Sequence, residues 1–239
     1  MKINFILPFT GLTGGIRVDF IYCNYLVSRG YDITCYVPMI AYKFNNNLFQ
    51  RIKASVGNTV KRGTKVNWFD CNFKIKLVPK INDFFIRDAD FTIATAWPTA
   101  YDVYKLSDKK GKKIYLIQDY EIWSGKKEDV DGSYRLDLNR LIVTKTLKEL
   151  LEDKFKVESK VIYNGLSDSE FIKEDKKLNN RKTILMLYNT DLRKGSKEGI
   201  EILNNIYEKY NIRVILFGVK KGKDIPDNFE FYENPSREK

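Results

Sequence analysis

Short apolar runs alternate with amphipathic stretches along the first two thirds of the chain, the pattern of βαβ units that build a parallel sheet. Ile3-Asn4-Phe5-Ile6-Leu7 is the first predicted strand. Ile16 to Arg29 is patterned as a helix and stops at Gly30, which is placed to be the left-handed residue just past a helix end. Tyr31 to Val37 begins the second strand, and further strands are predicted at Val66 to Phe69, Phe91 to Ala94, Ile114 to Ile117, Leu141 to Thr144 and Val161 to Tyr163. Helices are predicted near Thr99 to Leu106 and Thr146 to Phe155. The fold class expected is α/β with a doubly wound parallel sheet.

After Asn164-Gly165 the pattern changes. Ser167 to Asn180 is polar, charged and aperiodic, which suits a linker between domains. A second βαβ series comes next: a strand at Thr183 to Tyr188, a helix at Ser196 to Tyr210 with Ile200, Leu203 and Ile206/Tyr207 on one face, and strands at Arg213 to Phe217 and Phe229 to Tyr232. Ser236, followed by charged residues, reads as the cap of a helix that is only begun. The expected organisation is a full domain over 1–165 and the first part of a second, Rossmann-like domain over 166–239. The length of 239 residues agrees, being about one and a half domains at roughly 150 residues each.

Composition narrows the setting. No apolar stretch approaches the ~18 residues a spanning helix needs, and the start, Met1 to Pro8, lacks a long apolar core or a cleavage site, so a cytoplasmic protein is expected. Cys23, Cys35 and Cys71 are widely spaced and form neither a CxxC pair nor an even-numbered framework, which suits reduced core thiols. Histidine is absent, which removes the commonest neutral-pH base and the commonest zinc ligand together. Chemistry is left to carboxylates, amides, lysine, arginine and backbone dipoles. The net charge of +11 calls for an anionic partner: nucleic acid, a phosphorylated ligand or an acidic membrane surface.

Five segments carry candidate chemistry. Gly11-Leu12-Thr13-Gly14-Gly15-Ile16-Arg17 joins the first strand to the first helix, where glycines admit a ligand to the backbone and the helix N-terminus favours a phosphate or sugar. It matches neither GxGxxG nor a P-loop, and a plain strand-to-helix turn remains open. Asp191-Leu192-Arg193-Lys194-Gly195 takes the equivalent place in the second series. Two cations at a helix N-terminus oppose the helix dipole, and a bound diphosphate would explain them as well as a solvated basic loop does. Trp97-Pro98-Thr99-Ala100 and Gln118-Asp119-Tyr120-Glu121-Ile122-Trp123 each follow a predicted strand, at the sheet edge where open α/β folds bind ligands. Aromatic faces with amide and carboxylate partners suit a sugar, although the tryptophans also suit a core. Finally, no acid lies between Ile33 and Phe69, whereas Lys43, Arg51, Lys53, Lys61, Arg62 and Lys65 stand beside Phe44, Leu48, Phe49 and Ile52. That stretch fits an anionic membrane surface or a solvated loop; no recognisable nucleic-acid module accompanies it.

Taken in order, these segments resemble the family 4 glycosyltransferases of the GT-B fold, particularly the bacterial polysaccharide and rhamnosyltransferase-like members. The resemblance runs along essentially the whole chain. It rests on Thr13-Gly14-Gly15-Ile16-Arg17, Ala96-Trp97-Pro98-Thr99-Ala100-Tyr101, Tyr115-Leu116-Ile117-Gln118-Asp119-Tyr120-Glu121, Val161-Ile162-Tyr163-Asn164-Gly165 with Phe171, and Met186-Leu187-Tyr188-Asn189 leading to Arg193-Lys194-Gly195. It implies a first domain that receives the acceptor and a second that grips a nucleotide sugar, with transfer in the cleft between them and retention of anomeric configuration. Gly14, Gly15, Asn189, Arg193 and Lys194 would then hold the donor, and Gln118 and Asp119 would stand in the catalytic loop where many relatives have a histidine. Thr13, Arg17, Trp97, Thr99 and Tyr120 would meet a glycan or lipid-linked acceptor. Arg193 and Lys194 would neutralise the leaving diphosphate, so neither metal nor cofactor is expected. Relatives continue into a segment bearing a glutamate pair that holds donor ribose and sugar, so the chain is expected to be cut short in its second domain and to bind donor weakly. Two other classes stay open: a non-catalytic, membrane- or acceptor-binding subunit of a split enzyme completed by a partner chain, and a basic nucleic-acid-binding α/β protein.

Overall fold

The computed structural model describes residues 1–43, 46–57, 66–165 and 182–235. The expected linker, Phe171, Ser236, Phe44, Lys61, Arg62 and Lys65 lie outside them. The chain divides into two compact units, Met1–Ser167 and Asp168–Lys239.

Unit 1 begins with β1 (Lys2–Ile6), α1 (Gly14–Ser28) and β2 (Asp32–Pro38), then α2 (Leu48–Ile52) and β3 (Lys74–Val78). It continues with β4 (Phe91–Ala94), α3 (Trp97–Lys105), β5 (Lys112–Ile117), α4 (Lys127–Tyr134), β6 (Asn139–Ile142), α5 (Lys145–Phe155) and β7 (Lys160–Val161). The seven strands form one sheet in the order β3-β2-β1-β4-β5-β6-β7, every neighbouring pair parallel. The order reverses direction at β1, as in doubly wound folds, and both faces are covered. One face buries Tyr36, Trp97, Tyr115, Tyr134 and Leu151, the other Phe5, Phe20, Ile33, Cys35 and Val143.

Local chemistry explains the elements. Thr13 caps α1 by accepting from the Ile16 N–H at 3.4 Å. At its far end Gly30 takes φ +85°, with its N–H on Val27 O and the Tyr31 N–H on Leu26 O, a Schellman ending. The one polar residue inside β1, Asn4, is fully buried and fully partnered: its amide donates to Arg87 O and Thr92 Oγ1 and accepts from Arg87 Nε. Arg87 also binds Asp32 at 2.7 Å, tying β4's approach to the start of β2.

Three features depart from expectation. Val66 to Phe69 is not a strand; Trp68 stacks on Phe20 at 5.1 Å and Phe69 tilts against the same ring, so this apolar run closes the core instead. The strand is β3, whose alternating Lys-Ile-Lys suits a sheet edge with one wet face. Helix α4 had no clear signal because Gly132 interrupts it; Gly132 leaves room for the Tyr101 hydroxyl, which a Cβ there would approach to 2.4 Å. The three cysteines are buried free thiols, yet Cys23 and Cys35 are in contact, Sγ to Sγ 3.5 Å, because α1 packs on β2.

Unit 2 contains β8 (Lys182–Leu187), α6 (Ser196–Lys209), β9 (Ile212–Gly218) and β10 (Glu230–Glu233), the strands parallel in the order β10-β9-β8. Helix α6 lays Ile200 and Leu203 on one face of the sheet over Val214 and Leu216. The other face is open, with Leu185 64% and Leu187 61% exposed beside a groove of about 1160 Å³ that Phe217 and Tyr232 also line.

Candidate active site

In parallel α/β sheets ligands collect at the carboxyl ends of the strands, beside the point where strand order reverses. In unit 1 that edge is formed by the loops leaving β1, β4 and β5. Thr13 and Gly14 are exposed there, and a Cβ on Gly14 would meet nothing within 4 Å, so the first turn of α1 is open. Gly15 lies against Gln118, whose side-chain amide donates to Gly15 O at 3.2 Å and to Asp19 Oδ1 at 2.8 Å. Both amide protons of Gln118 are thereby directed into α1, and its carbonyl oxygen is the group left for a ligand. Arg17 is half-buried one turn along.

Two acids complete this edge: Asp19, which the sequence did not single out, and Glu121, which lies in the candidate segment after β5. Asp19 is fully buried, and its second oxygen has no hydrogen-bond partner. Burial pushes its carboxyl well above the ordinary range; the Thr95 hydroxyl opposes the shift and the charge of Glu121 adds to it. Its signal in the sequence was an acid within the buried stripe Ile16, Phe20 and Cys23. Glu121 accepts from the Trp97 N–H at 2.8 Å and so caps α3 from outside, since Ala96 at the cap position has no side chain to do so. Burial raises the Glu121 carboxyl to about 7, against that hydrogen bond and with Asp119 adding to the rise.

The other expected contacts are differently disposed. Trp97 is only 7% exposed, and its indole donates to Ser124 Oγ at 2.9 Å. Thr99 is fully buried; its hydroxyl accepts from the Thr95 and Ala96 N–H groups and donates to Ala96 O, which exhausts its bonding capacity. The expectation that Thr99 meets an acceptor is therefore corrected: it closes the first turn of α3. Tyr120 is also turned inward, its hydroxyl donating to Asp131 at 2.6 Å and accepting from Lys154 while its ring packs on Tyr134 and Phe155. Asp119 is exposed and accepts from the Tyr120 N–H and from Trp123 Nε1 at 3.2 Å, which shapes the loop after β5.

In the acid-free stretch, Lys43 sits 4.3 Å over the Phe9 ring, half-buried, and Arg51 Nε donates to Ala41 O. Lys53 is exposed. Helix α2 opens with a reciprocal capping box between Asn47 and Gln50 and buries none of its residues, leaving Phe49 74% exposed.

In unit 2, Asn189 follows β8 and is exposed; its N–H donates to Ser196 Oγ and its side chain accepts from the Asp191 N–H. Leu192–Lys194 makes one tight turn, and Gly195 at φ +66° leads into α6. The guanidinium of Arg193 is held by both oxygens of Asp191, whose carboxyl it depresses below the usual range. This answers part of the electrostatic puzzle, because one of the two cations carries its own counter-charge. Lys194 is exposed and makes no ion pair among the described residues. Among those residues, no group of three metal-binding side chains could hold an ion, and no helix is long and apolar enough to cross a membrane.

Fold and edge together define an α/β, GT-B-like chain: a doubly wound parallel sheet in unit 1 and three strands of a second Rossmann-like sheet in unit 2. No family model and no curated protein matches the sequence. Among solved structures the chain is similar to an alpha-glucosyltransferase (AGT) in complex with UDP, with a TM-score of 0.52 and 10% identity. The match covers 93% of this chain and 59% of that one, so this chain spans well under two thirds of its neighbour's length. At that identity the likeness is one of fold.

Proposed function

We propose that the chain is a glycosyltransferase of the family 4 type that transfers a sugar from a nucleotide-sugar donor to a glycan or lipid-linked acceptor in bacterial surface polysaccharide assembly. Unit 1 receives the acceptor and unit 2 holds the donor. The observation that carries the reading is the Arg193-Lys194 turn at the start of α6, two cations at the carboxyl edge of a parallel sheet. A diphosphate gains negative charge as the glycosidic bond breaks, and cations placed beside it lower the cost of that charge without a metal. Arg193 would have to exchange Asp191 for phosphate oxygens. Its planar fork suits either partner, while Lys194 acts as a point charge.

On the acceptor side, the open first turn of α1 at Thr13 and Gly14 and the side-chain carbonyl of Gln118 are the groups we assign to the reacting sugars. Retention of configuration rests on the family resemblance. The apolar side chains of α2, with Leu48 and Phe49 exposed, support a peripheral position on an anionic membrane surface. Incubating the chain with nucleotide sugars, with water taking the acceptor's place at the anomeric carbon, and following the anomeric protons by NMR tests the reaction. Release of the nucleoside diphosphate with a sugar of unchanged anomeric configuration is expected. A product of inverted configuration would exclude the retaining assignment.

A further inference from the structure

A cavity of about 550 Å³ on the flank of unit 1 belongs to none of the groups above. That volume lies within the ~300–1,000 Å³ typical of small-ligand sites. Three elements wall it: Tyr42 follows β2, Lys80 to Phe84 follow β3, and Asp102 and Lys105 stand on α3. The walls are tied together. The Tyr42 hydroxyl donates to Asp102 Oδ2 at 2.6 Å, and Asp83 accepts from the Ser107 N–H just past α3 at 3.0 Å.

The lining is uneven in what it leaves for a ligand. Both carboxylates are engaged, Asp102 by Tyr42 and Asp83 by the backbone, and burial raises the Asp102 carboxyl, with Tyr42 and Lys105 opposing the shift. Lys80 and Lys105 are exposed and make no ion pair among the described residues, and the charge of Arg51 also reaches Tyr42. At the rim Phe84 is 86% exposed, its ring held edge-on to Phe85 at 4.9 Å. An exposed phenyl suits the apolar face of a pyranose, the remaining Asp102 oxygen suits a hydroxyl, and the ammonium groups of Lys80 and Lys105 suit an anionic substituent. Asp102 stands five residues past Trp97, so the cavity opens about 7.5 Å along α3 from the candidate edge at ~1.5 Å per residue. A short oligosaccharide spans that distance.

We propose that this cavity is a carbohydrate subsite for an anionic sugar, carrying a carboxylate or a phosphate, of the acceptor glycan. The assignment to an acceptor rests on the reading of unit 1 as the acceptor side. The test is a titration of the full chain with D-glucuronate, glucose 6-phosphate, D-glucose and inorganic phosphate, followed by ligand-observed NMR. Binding of D-glucuronate or glucose 6-phosphate at least tenfold tighter than D-glucose is expected, and whichever is tighter identifies the anion. Lys80→Ala with Lys105→Ala should abolish that preference, and Phe84→Ala should weaken the sugars while leaving inorganic phosphate unchanged. These are surface changes, and circular dichroism verifies that each variant is folded. Equal binding of D-glucose and both anionic sugars, or anion preference unchanged in the double lysine variant, would overturn the proposal. So would inorganic phosphate binding as tightly as the sugars. Nucleoside diphosphate binding, measured on the same samples, reports on unit 2 alone: a chain that binds the anionic sugar and no nucleotide keeps the subsite and removes the transferase.

Discussion

Replacing Glu121 by Gln should make the stability of unit 1 less dependent on pH. In the folded chain the Glu121 carboxyl is raised from 4.5 to about 7, chiefly by burial. The folded state therefore keeps a proton that the unfolded state releases, and the resulting stabilisation is complete below about pH 4.5 and lost as pH rises through 7. The gap between 4.5 and about 7, at about 1.4 kcal/mol per pH unit, comes to about 3 kcal/mol between pH 4 and pH 8. Glu121 is not wholly sealed from water, so about 2 to 3 kcal/mol is the working figure. Glutamine keeps the bond from the Trp97 N–H and has no charge to desolvate. All three tryptophans, Trp68, Trp97 and Trp123, lie in unit 1, so urea unfolding followed by tryptophan fluorescence reads that unit separately. The Glu121→Gln variant should gain about 2 to 3 kcal/mol relative to the parent at pH 8 compared with pH 4 to 5. An equal difference at both pH values would refute the assignment of a raised, buried carboxyl.

Other substitutions test neighbouring claims. Thr99→Val leaves the buried Thr95 and Ala96 N–H groups without their acceptor and should cost about 2 kcal/mol or more in the same fluorescence assay, whereas Thr99→Ser should stay close to the parent. Gly132→Ala should destabilise unit 1 by about 1 to 3 kcal/mol, and Tyr101→Phe, which removes the hydroxyl in its way, should recover part of the loss. Asp191→Asn removes the carboxylate that competes for Arg193 and should tighten nucleoside diphosphate binding several-fold in a calorimeter; weaker binding would show that Asp191 serves the ligand.

Most strands and helices are legible in the sequence because strands buried on both faces read as short, mostly apolar runs. Ile3 to Leu7, Tyr31 to Val37 and Phe91 to Ala94 are of that kind, and the observed β1, β2 and β4 fall on them within a residue or two. Edge strand β3 escapes because its alternating lysines look like a loop, while the more apolar Trp68-Phe69 run is drawn into the core by Phe20. The candidate site is legible only as positions. Gly15 and Gln118 follow different strands and meet as expected of that edge, but the direction in which a side chain turns is a tertiary fact. Thr99 and Tyr120 face inward because α3 lacks a capping side chain at Ala96 and because Asp131 and Lys154 claim the phenol. Asp19 and Glu121 acquire their character only from what α1 and α3 bury around them.

The central claim is that unit 2 holds a nucleotide diphosphate on Arg193 and Lys194. Calorimetric titration of the chain with UDP, GDP, ADP and dTDP, beside the Arg193→Ala, Lys194→Ala double variant, measures it directly. Binding of at least one of these nucleotides, abolished in the double variant while the fluorescence unfolding curve of unit 1 is unchanged, is the predicted result. No binding of any of them, or binding of equal strength in the double variant, would contradict the account.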